Sequence, residues 1–182
     1  MKKYFLLGFM ALIVFSFFTD TSASANKKDS TDFISQVKIF DENGIQIPYT
    51  TEELEQFIKF EDAENAPFTI MADYRKYNYG PMTFSYNFYV GPGTNGMAFL
   101  NPFDTLITVN GTASKMRVEA YNDTGTGSGT LARSIELPGG WTGGIHISSW
   151  STLPRDKSYR FKFVNLGNTF TINNVEVWYD HL

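Results

Sequence analysis

Residues 159–163 read Tyr159-Arg160-Phe161-Lys162-Phe163, and residues 175–180 read Val175-Glu176-Val177-Trp178-Tyr179-Asp180. In each run the apolar side chains fall on one parity and most polar ones on the other, the two-residue period of a strand with one face buried. The same rhythm sets Phe84, Tyr86, Phe88 and Val90 against Thr83, Ser85, Asn87 and Tyr89, and Met116, Val118 and Ala120 against Arg117, Glu119 and Tyr121. Shorter candidate strands lie at 68–72, 105–110, 131–137 and 145–149, separated by clusters of Gly, Pro, Asn and Asp. One face in and one face out on nearly every strand is the antiparallel pattern. The expectation is a mostly β chain, with residues 67–182 forming a jelly-roll-like antiparallel β-sandwich of about seven to nine strands.

Residues 26–66 read differently. Asn26 to Asp32 is a polar, loose leader. Val37-Lys38-Ile39 and Ile45-Gln46-Ile47 flank an Asn43-Gly44 step, a hairpin signal. Thr50 and Glu53 form a capping box, and Leu54, Phe57 and Ile58 recur at helical spacing, predicting a helix over 51–62 that packs with the hairpin on the main domain.

The first residues predict export. A basic head, Lys2-Lys3, precedes the fourteen-residue apolar or small run Phe5 to Phe18 and an Ala23-Ser24-Ala25 box. Such a run makes a helix of roughly 21 Å, short of the ~30 Å hydrocarbon core, so residues 1–25 are expected to be a cleaved signal peptide rather than an anchor. The mature chain then starts at Asn26, is secreted by a bacterium, and has no membrane span. The absence of cysteine excludes disulfides and thiolate metal sites. Fifteen Lys and Arg against nineteen Asp and Glu, without basic runs, argue against nucleic acid as a partner.

Few catalytic patterns stand up. Gly91-Pro92-Gly93-Thr94-Asn95-Gly96 matches a dinucleotide fingerprint, but Pro102 stops any helix that would follow it, so a glycine turn is expected. His146 alternates with Ile145 and Ile147 and is expected to point outward as a bystander. A carboxylate-pair hydrolase stays open because its two acids need meet only in space. No enzyme, metal or cofactor is expected. Arg133 shares parity with Leu131, Ile135 and Leu137. Either the strand starts at Ser134, or Arg133 is half-buried beside a carboxylate such as Glu119.

The aromatic residues point to binding. Tyr74, Tyr77 and Tyr79 precede a clean strand, and Trp141 lies between glycine pairs in Gly139-Gly140-Trp141-Thr142-Gly143-Gly144. Rings with an apolar face and a polar tip suit sugars or a protein surface, and a ring flanked by glycines has little packing support. Trp141 is expected to be an exposed stacking residue, with Tyr74, Tyr77 and Tyr79 as neighbours. Trp150 and Tyr86 are expected to pack.

Ile172-Asn173-Asn174-Val175-Glu176-Val177, following Tyr159-Arg160-Phe161, resembles the closing strands of galactose-binding-like jelly-roll modules. That resemblance covers about twenty residues and implies a carbohydrate- or surface-binding module. Many such modules hold a structural calcium, but Asn here replaces the usual Asp, and no ligand residue carries over. The reading is a secreted, non-enzymatic protein that binds a polysaccharide or another envelope or matrix component. The alternatives are a self-associating matrix protein and a secreted toxin-like factor.

Overall fold

The computed structural model describes residues 25–61 and 74–180. The expected signal segment, Ala25 apart, and the candidate strand 68–72 lie outside the described residues. The chain is mostly β and folds as two antiparallel sheets packed face to face. In chain order its helices are α1 (Ala25–Ile34) and α2 (Thr51–Phe57). Its strands are β1 (Lys38–Phe40), β2 (Gln46–Ile47), β3 (Ile58–Phe60), β4 (Tyr74–Tyr79), β5 (Met82–Phe84), β6 (Asn87–Tyr89), β7 (Phe99–Leu100), β8 (Asp104–Asn110), β9 (Met116–Asp123), β10 (Ser128–Leu137), β11 (Gly143–Ile147), β12 (Ser158–Asn165) and β13 (Phe170–Asp180). Six of these thirteen described strands are only two or three residues long. That is why the sequence rhythm marks fewer.

The first sheet runs β2-β1-β10-β9-β12-β6, with β7 also on β12; the second runs β3-β11-β8-β13-β4, with β5 also on β13. Alternation decides the core. Val118, Ala120, Phe161, Phe163 and Ile135 face inward from the first sheet, and Ile107, Ile145, Ile147, Val175 and Val177 from the second, all fully buried. Within the first sheet Phe88 stacks on Phe163 with centroids 4.9 Å apart, and Phe99 meets Phe161. Phe99 also bridges the layers, meeting Tyr77 and Tyr179 of the second sheet. Among the described residues no helix is long and apolar enough to cross a membrane.

Residues 26–61 are woven into both sheets. The hairpin forms as β1 and β2, with Asp41 Oδ1 accepting from the amides of Asn43 and Ile45, and β1 pairs with β10. The stretch expected to be a loose leader is helical instead: α1 buries Phe33 and Ile34, and Phe33 sets its ring 5.1 Å from Phe60. The capping box at α2 is present. Thr50 Oγ1 accepts from the Glu53 amide, and Glu53 Oε2 accepts from the Thr50 amide at 2.8 Å. The helix, however, ends at Phe57 rather than 62. Ile58-Lys59-Phe60 alternates as well as it spirals, and pairing with β11 overrides helix propensity.

Two further expectations resolve. The Gly91–Gly96 run is a turn between β6 and β7, closed by Met97 N–H donating to Val90 O and held by Arg160, which donates to the carbonyls of Asn95 and Gly96. Arg133 lies inside β10, not before it. The register shifts, as at bulges, fall before Arg133; from there to Leu137 the pairing with β9 is continuous, so Arg133, opposite Ala120, keeps the parity of Ile135 and Leu137 and is half-buried. Its partners are the Ser149 carbonyl at 2.9 Å and the Thr152 hydroxyl rather than Glu119.

Candidate functional site

The expected aromatic site is not assembled. Trp141, in the β10–β11 connection, is 4% exposed, and its backbone pairs with Ala113. The surrounding glycines do not strip the ring of support; they let the β8–β9 loop come close. A Cβ on Gly139 would stand 3.0 Å from the Lys115 amide nitrogen. Tyr74, Tyr77 and Tyr79 lie on β4, separated from β11 by β8 and β13 in the sheet order. Tyr77 and Tyr79 are half-buried against the core, their rings stacked 6.5 Å apart, and Tyr74 packs edge-on against Phe103. Trp150 is fully buried and donates to the Thr105 hydroxyl at 2.9 Å, the packing role expected of it.

His146 corrects the expectation of an exposed bystander. It does point away from the core, but there the second sheet is covered. Its Nδ1 lies 3.2 Å from Asp104 Oδ1, and the Trp178 ring lies 5.9 Å from the imidazole. Burial pushes the Asp104 carboxyl above the usual range, outweighing the hydrogen bond and charge of His146. Among the described residues no group of three or more His, Asp or Glu is placed to hold a metal ion.

The outer face of the first sheet carries linked charges. Arg117 donates from Nε and Nη2 to Glu136 Oε1, and Lys115 Nζ reaches Glu136 Oε2 at 3.0 Å. Arg117 also pairs with Glu119, which takes Lys162 at 3.6 Å and the Tyr121 hydroxyl at 2.9 Å. Burial and that carboxylate push the Tyr121 phenol up to about 12. For Glu136 burial acts upward, but the hydrogen bonds and charges of Arg117 and Lys115 outweigh it and hold the carboxyl below its ordinary value. A carboxyl held ionised is the opposite of what a general acid needs.

This network borders a cleft of about 560 Å³ at one end of the sandwich. Ser35 and Gln36 line it from the turn after α1, Lys38 from the start of β1, Lys115 from the end of the β8–β9 loop, Glu136 from β10, and Pro138 and Gly139 from the β10–β11 connection. Strand register explains the gathering. Lys38 faces Glu136, Glu136 faces Arg117, Arg117 faces Val164, and Val164 faces Asn87, one row across five strands. Four strand spacings make that row roughly 19 Å long. Just beyond its far end Tyr86 is 83% exposed, against the expectation that it packs, because it sits in the β5–β6 turn rather than within a strand. Leu166, also exposed, joins the two corners: its amide donates to the Lys115 carbonyl, and the Asn165 amide donates to the Tyr86 carbonyl. Sequence reading missed this end because its residues come from strand ends and connections far apart in the chain, and only Tyr86 carried a local signal. No protein-family model, curated protein or solved structure matches the chain.

Proposed function

We propose that the chain is a secreted, non-enzymatic β-sandwich that binds a polysaccharide of a cell envelope or matrix through the end of the sandwich that carries the cleft and Tyr86. The observation that carries this reading is the pairing of an exposed ring with a polar cleft at opposite corners of one end. Burying the Tyr86 ring would be favourable, and among the described residues it is left 83% exposed, so a partner surface is the natural recipient of its apolar face. A row of roughly 19 Å suits a polymer that lies across several sites better than one small molecule. The jelly-roll kinship of the last two strands and the exported state belong to the same proposal.

Tyr86→Ser tests it. The variant is expected to keep its melting temperature, since the side chain is almost fully in solvent, and to lose retention on the insoluble glycan that holds the wild type. Equal retention of variant and wild type would place the binding surface elsewhere. Concentration-dependent growth in particle size without any glycan would instead favour a self-associating matrix protein.

A further inference from the structure

We infer that the cleft beside Lys38 receives an anionic group of the bound glycan, a uronate carboxylate or a phosphodiester. This rests on the glycan-binding reading and narrows it to a class of polymer.

The argument is a count of donors and acceptors. Among the described residues Glu136 is the one acid lining the cleft, and its two oxygens are already taken: Oε1 by two nitrogens of Arg117, Oε2 by Lys115. The Ser35 hydroxyl and the Gln36 amide turn back to the Asp32 carbonyl at the end of α1. What still faces the space is cationic. Lys38 is exposed and has no ion pair among the described residues, and Lys115, half exposed, meets Glu136 with one ammonium that has three donors to place. Behind them the Arg117 charge is met by Glu119. Among the described lining residues, two lysines against one satisfied carboxylate leave a local excess of positive charge, on a chain that is acidic as a whole. A neutral sugar would leave the Lys38 ammonium without a counter-charge, whereas an anionic one supplies acceptors of the right sign for it and for the remaining donors of Lys115.

The experiment is affinity electrophoresis of the full-length secreted chain through gels containing polygalacturonate, a glycerol-phosphate polymer, or a neutral glucan. Wild type is expected to be retarded by the uronate or the phosphodiester polymer, with retardation falling as salt is raised. Lys38→Glu, on an exposed side chain, should weaken retardation by about tenfold. Lys157→Glu, exposed at the other end of the sandwich, should leave it unchanged. The two anionic gels separate carboxylate from phosphodiester. Equal retardation by the neutral glucan, insensitive to Lys38→Glu, would overturn the inference while leaving glycan binding intact. Retardation by none of the three polymers would overturn both.

Discussion

Trp141 and Trp150 stand nine residues apart and are both buried, yet they differ in one hydrogen bond. The Trp150 indole donates to Thr105, whereas the Trp141 indole nitrogen has no partner among the described residues. Trp141→Ala should cost ~3 kcal/mol or more, as emptying a large core site does. Trp141→Phe should cost much less, because it keeps most of the ring and deletes a buried donor that nothing accepts from. Trp150→Phe should be the worse of the two phenylalanine variants, since it strands the Thr105 hydroxyl. Urea midpoints of the three proteins check the order, and a Trp141→Ala midpoint close to wild type would restore the exposed ring read from the glycines. Thr50→Ala should cost ~1 kcal/mol, now that both arms of its capping box are in place. An unchanged midpoint would show that α2 contributes little to stability.

At the scale of elements, alternation identified the long strands because each buries one face only. It failed where a second requirement overrode the pattern. Ile58 satisfies both a helical stripe and a strand parity, and only the partner β11, some ninety residues away, decides between them. Arg133 keeps the parity of Ile135 and Leu137, but the carbonyl and hydroxyl that accept from it, on Ser149 and Thr152, are 16 and 19 residues on, and no local spacing announces them. His146 was placed on the correct side of β11, but alternation tells which face a residue takes, not whether that face is covered. The charge network on β9 and β10 gives a prediction with a definite sign. The Glu136 carboxyl is held below its ordinary value, so the folded state binds fewer protons there than the unfolded chain. Its contribution to stability is present above the usual carboxylate range and is lost as pH falls through the lowered value. Glu136→Gln should therefore flatten the fall in urea midpoint between neutral pH and about pH 3. If wild type and variant decline in parallel, Arg117 and Lys115 do not favour the carboxylate in the way their distances imply.

For the whole molecule, the sandwich was legible in the sequence, while its sheet order and its cleft were not. Lys38 and Glu136 become neighbours only through the pairing of β1 with β10, and no local spacing announces a contact between residues so far apart. The same pairing governs how the chain should unfold. Residues 26–61 supply β1 and β2 to one sheet and β3 to the other, and they bury Phe33, Ile34, Val37, Ile39, Leu54 and Ile58. At ~1.5–3 kcal/mol for each side chain, those six represent roughly 9–18 kcal/mol of apolar burial. The net stability of a domain is about 5–15 kcal/mol, so the remainder cannot absorb their loss. A chain beginning at Pro67 should accordingly lack a cooperative melting transition, and the chain from Asn26 should melt in one step, with calorimetric and van't Hoff enthalpies in agreement. Two resolved transitions in the longer chain, or a folded and cooperative 67–182 fragment, would show that the N-terminal strands are an addition to a sandwich complete without them.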